Sequence, residues 1–428
     1  MTASNTSFKR YFKLAVLVVI AGNIYPLIYL RQNFEISILE SFGISAQQLG
    51  QNYAMLGVLY VLTYLPSGWL ADRVAPRILM SFSLLLAGLL GLWFASFPSV
   101  ESLKIIFAGW GIAAGLTFWS SLIKATALLA EKNEQGRFFG ILEGGRGLVE
   151  AILASIALAI FAYYTGAGGE DTPQALQRVI YMYVVCMLVL APMSWLVLRE
   201  SSQAKNRQEV VETGKENTNK SELWQDLVVI AKKEEIWLSG ICILTGYQLF
   251  WATYSFSAYL QTQYGLTAVA VGVITVAKLW TRPIGAISAG VTGDFTDREA
   301  VLSILLVLAS LSLFALCFVP IGVSSTLILA IVLMVGFLTY AVRGIFWSTL
   351  ESCHVDNRIK GLAIGILSII GYAPDIYLPL LNGYLLEQYP GRQGYVLYFQ
   401  IIAATGFIGA LAAWRLRIIV KFHKTFAN

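Results

Sequence analysis

The sequence is poor in the residues on which soluble chemistry depends. Of 428 residues only 2 are histidine and 4 are cysteine. Cys186, Cys242, Cys317 and Cys353 lie far apart, and no C-x-x-C occurs. That argues against a zinc site or a Cys/His nucleophile pair and leaves the cysteines as small buried residues. Charge is scarce as well. Charged residues make up 13% of the chain, where a soluble domain carries about a quarter. No Walker loop is present, so no ATP drive is visible within this chain. Gly109-x-Gly111-x-x-x-Gly115 falls inside an apolar run and reads as helix packing rather than a dinucleotide loop, and Gly166-Ala167-Gly168-Gly169 reads as a turn. Without a nucleophile–base pair or a metal set, an enzyme is not expected, and no cofactor is called for.

What the chain has is apolar surface. Hydrophobic residues make up 57% of it and the mean hydropathy is +0.68. One soluble core cannot hide that much, so the expected solvent is lipid. The net charge of +5 is modest, and the basic residues form no aromatic-interleaved patch, so nucleic acid is not an expected partner. The N-terminus, MTASNTSFKRYFK, has the charge pattern of a signal peptide. The apolar stretch after it is too long for one and is read as a retained membrane helix.

Twelve apolar segments are long enough to span a bilayer as helices, near 12–36, 51–71, 78–97, 103–129, 138–164, 178–198, 236–260, 268–291, 300–321, 325–352, 360–386 and 394–419. Most of the 30 Lys and Arg fall in the two termini and in the loops after even-numbered spans. Lys104, Arg178 and Arg392 are those beside the opposite loops. The positive-inside rule then places both termini in the cytosol. A polar stretch, 199–222, divides the chain, and the LWQDLVVIAKKEE after it has the pattern of a short interfacial helix. The expected organisation is an N-terminal six-helix bundle (1–198), a cytosolic linker (199–235) and a C-terminal six-helix bundle (236–428). The halves repeat. Phe118-Trp119-Ser120-Ser121-Leu122 matches Phe346-Trp347-Ser348-Thr349-Leu350, and Gly68-x-x-x-Asp72 matches Gly290-x-x-x-Asp294, at offsets of 228 and 222 residues. Parallel six-helix repeats build a midplane site between two rocking halves.

The loop after the second span, Gly68-Trp69-Leu70-Ala71-Asp72-Arg73-Val74-Ala75-Pro76-Arg77, resembles the G-x-x-x-D-R-x-G-R-[KR] loop of the major facilitator superfamily. It departs from that pattern at Ala75 and Pro76. The resemblance implies an all-α fold of twelve transmembrane helices in two pseudo-symmetric bundles, a multi-pass protein of a bacterial inner membrane, and gating roles for Gly68, Asp72, Arg73, Arg77, Gly290 and Asp294. The end of the first span, Arg31-Gln32-Asn33-Phe34, is similar to the R-x-N-F of the organophosphate/phosphate and anion-transporter branch, where the arginine contacts the substrate anion. That branch has a second arginine in its seventh span; here the region reads Tyr247-Gln248-Leu249-Phe250-Trp251. The departure implies a different anion or a distinct subfamily. There is also a faint similarity to enterobacterial transporters encoded near sulfosugar genes.

Ionisable residues inside spans cost about 2.5 kcal/mol or more at the centre and are functional candidates by default. Six are basic: Arg31, Lys124, Arg146, Lys278, Arg282 and Arg343. Four are acidic: Glu143, Glu150, Glu351 and Asp375; Glu35 is placed at the outer edge of the first span. In the fifth span Glu143, Arg146 and Glu150 share one helix face. They form either a substrate site or a closed internal network. In the eighth span Lys278 and Arg282 stand at i and i+4 with no local acid. Lys278, near the midplane, is expected to touch the ligand, and Arg282 to serve the gate. In the tenth span Arg343 reaches the cavity with Trp347 beneath it, while Glu351 caps or gates. In the eleventh, Asp375 beside Pro374 is either a proton carrier or a structural partner for Lys278. The seventh span carries a polar-aromatic stripe of Tyr247, Gln248, Trp251, Tyr254 and Ser255, suited to a small polar substrate or to interhelical packing. Lys124 reads as a snorkelling residue.

The function expected is secondary transport of a small organic anion (a phosphorylated or sulfonated sugar, a sugar acid or a carboxylate) by alternating access. Arg31, Arg146, Lys278, Arg343, Tyr247, Gln248, Trp251 and Trp347 are the expected substrate contacts. Glu150 or Asp375, helped by Glu143, would couple protons. Exchange for a counter-anion, drug/proton antiport and ligand sensing on the same fold stay open. The expected state is a monomer in the lipid bilayer.

Overall fold

The structure, a computed structural model, describes residues 3–131, 134–198, 220–353, 355 and 359–427. Among them the chain is helical with no strand. Twelve long helical spans follow in order: α1 (Phe8–Phe42), α2 (Ala46–Arg73), α3 (Pro76–Phe94), α4 (Val100–Leu129), α5 (Gln135–Thr165), α6 (Thr172–Val197), α7 (Glu234–Tyr264), α8 (Ala268–Phe295), α9 (Arg298–Leu316), α10 (Ser325–Ser352), α11 (Leu362–Gln388) and α12 (Arg392–Ala427). A shorter helix, Lys220–Ala231, lies where the interfacial helix is expected. Residues 199–219 of the expected linker lie outside the described residues.

Eleven of the twelve are long and apolar enough to cross a membrane. The exception is α2, whose buried side carries Asn52, Tyr53, Tyr60 and Thr63. It is covered by the rest of the protein there and has less need of a lipid-compatible composition. The spans match the expected segments to within a few residues, except that α1 and α12 run further.

The repeat extends to the turns. Gly43 after α1 and Gly265 after α7 take φ of 60° and 62°, a left-handed backbone that glycine adopts without strain. Two residues on, Ser45 caps α2 through Gln48 N–H (3.2 Å) and Thr267 caps α8 through Ala270 N–H (3.2 Å). The spacing between the copies is again 222 residues. A second correspondence ties each half at its termini-bearing end. Arg10 Nε donates to the Leu129 carbonyl at 2.9 Å, and Lys233 Nζ to the Cys353 carbonyl at 3.1 Å. A cation thus sits at a carbonyl at the end of the fourth helix of each half, where the helix dipole favours positive charge.

The halves meet closely at one end only. Away from the termini, Gly50 and Gly57 of α2 lie against the Pro379 and Asp375 carbonyls of α11, so close that a Cβ would not fit. There too, Ser257 Oγ of α7 donates to the Asn33 carbonyl of α1 at 3.0 Å, and Gly272 of α8 packs on Leu158 of α5. Towards the termini-bearing end, Gly68 of α2, Gly144 of α5, Gly290 of α8 and Gly365 of α11 have open space where a Cβ would stand. The bundle is therefore sealed at one end and parted at the other.

Candidate functional site

Several spans are irregular at mid-depth, and the irregularities surround one cleft. The α1 helix breaks between Ile28 and Arg31. The α4 helix widens to a π-type turn over Ile112–Phe118, and α7 and α10 tighten over Thr253–Ser255 and Phe346–Ser348. The α4 and α10 irregularities fall at the repeated Phe-Trp-Ser motif. The α11 helix restarts at Pro374, whose missing N–H and fixed φ suit a first turn. Such irregularities concentrate at functional sites.

The cleft holds about 760 Å³ of space not filled by atoms, part of it open to solvent. Seven tyrosines line it: Tyr25 and Tyr29 from α1, Tyr60 and Tyr64 from α2, Tyr247 and Tyr254 from α7, and Tyr372 from α11. Trp119 and Phe250 complete the aromatic wall. Its charged groups are Arg146 and Glu150 of α5, Arg282 of α8, Arg343 of α10 and Asp375 of α11. Both halves contribute, as expected of a site between them.

Each charge is held differently. Arg146 lies over the rings of Tyr25 (5.8 Å) and Trp119 (5.6 Å), with the half-exposed Glu143 at 3.3 Å. Arg343 lies over Phe250 at 4.2 Å and Tyr247 at 5.6 Å and forms no ion pair with a described residue. Aromatic faces hold a guanidinium flat without neutralising it. Arg282 pairs with Glu150 across the two halves. Asp375 likewise has no ion pair among the described residues. Its Oδ1 accepts from Tyr247 Oη at 2.8 Å and Trp251 Nε1 at 2.6 Å, two neutral donors that fix the carboxyl group beside the cleft.

The cleft thus gathers Arg146, Arg343, Tyr247, Glu150, Asp375 and Arg282. Five other expected contacts stand behind or beyond its wall. Arg31 is buried against Glu35 at 2.7 Å and lies over Tyr53 and Trp251 at 5.2 and 5.8 Å. Glu35 is itself buried. Lys278 is buried too, with Nζ donating to Thr253 Oγ1 at 3.0 Å and towards its carbonyl at 3.4 Å. It is not the partner of Asp375. Gln248, one residue round the helix from Tyr247, turns into its own half, donating to Tyr377 Oη and accepting from Thr405 Oγ1 at 2.7 Å. Trp251 is one layer back, holding Asp375. Trp347 donates to Tyr372 Oη at 3.2 Å and so supports the wall from behind. The sequence shows no acid local to Lys278 and Arg282 on their own helix, and the acid that meets Arg282 is Glu150, from another helix.

Of the gating residues, Arg73 stacks on exposed Trp69 at 4.1 Å and Arg77 lies over Trp195 at 5.4 Å. Asp294 pairs with Arg298 at 3.1 Å, and Arg298 also meets Glu351. The side chain of Asp72 lies outside the described residues. Lys124 donates to the Ala71 carbonyl at 2.7 Å and thereby ties α4 to α2.

Sequence reasoning missed most of the aromatic wall. The signal was present: Tyr25 and Tyr29 stand at i, i+4, as do Tyr60 and Tyr64, each pair on one helix face.

A sequence model described as the Major Facilitator Superfamily matches residues 15–376. The inner membrane proteins YqcE and YihN of Escherichia coli are each 26% identical to this chain. YqcE aligns over 94% of this chain and 94% of its own length, YihN over 95% and 94%. A D-galactonate transporter, also from Escherichia coli, is 21% identical over 88% of each chain. Among solved structures, the nucleoside transporter NupG superposes with a TM-score of 0.69 at 14% identity, covering 96% of this chain and 99% of that one. A bacterial homologue of the human lysosomal transporter Spinster, in an inward-facing and unoccupied conformation, superposes with a TM-score of 0.71 at 16% identity, covering 97% and 99%. At these identities the structural likeness speaks for the fold.

Proposed function

The chain belongs to the major facilitator superfamily, and from that premise we propose that it is a secondary transporter of a small, hydroxyl-bearing organic anion. The observation that carries the reading is Arg343. It is a guanidinium on the cleft wall, stacked on Phe250 and without a carboxylate partner among the described residues. With Arg146 on the opposite half, it offers an anion two cations, one from each moving body. Arginine's planar fork suits carboxylate, phosphate and sulfonate groups. The tyrosines supply hydroxyls for polar substituents and ring faces for the carbon skeleton. A sugar acid combines both features, and the distant similarity to a D-galactonate transporter favours that class over phosphorylated or sulfonated sugars.

Coupling follows from how the carboxylates are engaged. Glu150 is taken up by Arg282 and Glu143 stands beside Arg146. Asp375 is held by neutral donors alone and faces the cleft, so it is the carboxyl group best supported as the proton carrier. With the termini in the cytosol, the positive-inside orientation, the conformation described opens inward.

The test is uptake by purified protein in proteoliposomes under an imposed pH gradient. It should be preceded by a thermal-shift screen of sugar acids, sugar phosphates, sulfonates, neutral sugars and organic cations, since a ligand selective for the folded state raises stability. Sugar acids should stabilise the protein and accumulate inside. Stabilisation by neutral or cationic compounds alone would remove the anion reading. Uptake that requires anion loaded inside would replace symport with exchange.

A further inference from the structure

Glu150 and Arg282 are the two lining residues of the cleft that pair with each other. Among the described residues no other ion pair joins two groups on its wall. The pair crosses from α5 to α8, and so from one half to the other. Both side chains are mostly shielded, at 17% and 12% exposure, yet both still reach the cleft. The backbone beneath is shaped for it. Gly147, one turn before Glu150 on the same face, lies under the Arg282 stem, and a Cβ there would come within 3.1 Å of Arg282 Cδ and 3.3 Å of Nε. From α10, the Tyr340 ring backs the guanidinium at 5.9 Å. One layer further along the same seam, Trp280 Nε1 of α8 donates to Ser155 Oγ of α5 at 3.3 Å.

We infer that Arg282 belongs to the anion-recognising set of the cleft, is occupied by Glu150 while the cleft is empty, and is released to an entering anion, so that substrate binding undoes a contact between the halves. The inference rests on the anion reading above. The cleft wall carries three guanidinium groups and two carboxylates, and one of the carboxylates, Asp375, is satisfied by Tyr247 and Trp251. Glu150 is thus the carboxylate that a substrate's own anionic group can imitate. An anion that draws Arg282 from Glu150 removes the ionic bridge at the inner end of the α5–α8 seam. By reciprocity, whatever loosens Glu150's hold while leaving Arg282 free to bind must strengthen anion binding. A pair with a merely structural role lacks that signature, because breaking it leaves binding unchanged or weaker.

The experiment compares wild type, Glu150→Gln, Arg282→Gln and Gly147→Ala in full-length purified protein, with D-galactonate, inorganic phosphate and sulfate as probes. Two quantities are read. One is probe affinity. The other is labelling, without probe, of a Ser257→Cys reporter that is shut in the sealed seam, with the labelled peptide located by mass spectrometry. Removing the competitor in Glu150→Gln should tighten binding of the anion that wild type accepts by about fivefold or more and raise labelling of the reporter. Arg282→Gln should weaken binding and also raise labelling. Gly147→Ala, which leaves every charge in place, should displace Arg282 and reproduce the Glu150→Gln pattern at smaller amplitude; it stands in if Glu150→Gln does not fold. Anion binding by wild type with affinity and labelling unchanged in Glu150→Gln and Gly147→Ala overturns the latch and leaves the anion reading intact. Failure of wild type to bind any of the anions, with the variants still labelled more readily, overturns the anion reading and the competition together while showing the bridge to be a conformational tie.

Discussion

Arg31 and Glu35 meet at 2.7 Å within one turn of the same helix, and neither side chain reaches solvent. Their only ionic partner among the described residues is each other. A buried pair of this kind contributes little net stability, but losing one member leaves the other charge uncompensated, at about 3–5 kcal/mol. Glu35→Gln alone should therefore lower the thermal midpoint in detergent sharply, and Arg31→Met with Glu35→Gln should recover most of the loss. A double variant as unstable as the single one would mean that Arg31 has work beyond this pair.

Asp375→Asn keeps an acceptor oxygen for Tyr247 and Trp251 and removes the titrating group. Substrate affinity should stay within about threefold, well under the cost of losing a buried charged hydrogen bond, while pH-driven accumulation in proteoliposomes is lost. Accumulation that survives in this variant assigns the proton elsewhere.

Arg343→Gln should cost about 2 kcal/mol of anion affinity, near thirtyfold, as expected for a hydrogen bond to a charged group. Arg343→Lys should restore little of it, because an ammonium lacks the flat face that rests on Phe250 at 4.2 Å. Isothermal titration with the identified substrate measures both. A lysine variant equal to wild type would show that charge alone suffices.

Outside the membrane spans, two carboxyl groups make stability pH-dependent. Partial burial works to raise Asp297, but hydrogen bonds from Arg417 and Lys421 outweigh it and hold the carboxyl below its ordinary range. A hydrogen bond from Arg10 does the same for Glu134. A depressed folded-state value means that the contribution is present above the unfolded value near 4 and disappears as pH falls through the folded one. Thermal stability should thus decline below about pH 4, and Asp297→Asn should flatten that acid limb while lowering stability at neutral pH. An unchanged acid limb would show that the contact with Arg417 and Lys421 is not formed in the folded protein in solution.

The spans, their number and the repeat were legible because lipid imposes them on composition directly. The face shared by Arg146 and Glu150 was legible because both lie on one helix, where periodicity fixes direction. Arg31 and Lys278 were read as facing the cavity, but they stand behind its wall. Depth follows from counting residues along an axis, whereas azimuth depends on which neighbour covers each face. The bond between Glu150 and Arg282 depends on how α5 docks on α8, and nothing in either segment alone encodes it. Asp375 was singled out for its charge, but its true partners, Tyr247 and Trp251, were read as ligand contacts, since a stripe of polar aromatics carries no mark of what it will bond.

The bare glycines at the parted end have a consequence for how mutations there would be felt. Gly144 and Gly365 face empty space, so a bulky side chain at either site has nothing to clash with in this conformation, and biosynthesis and assembly should proceed untroubled. The obstruction arises only when that end must shut. Such a substitution is a doorstop: a well-behaved, abundant protein that completes half a turnover and stays there.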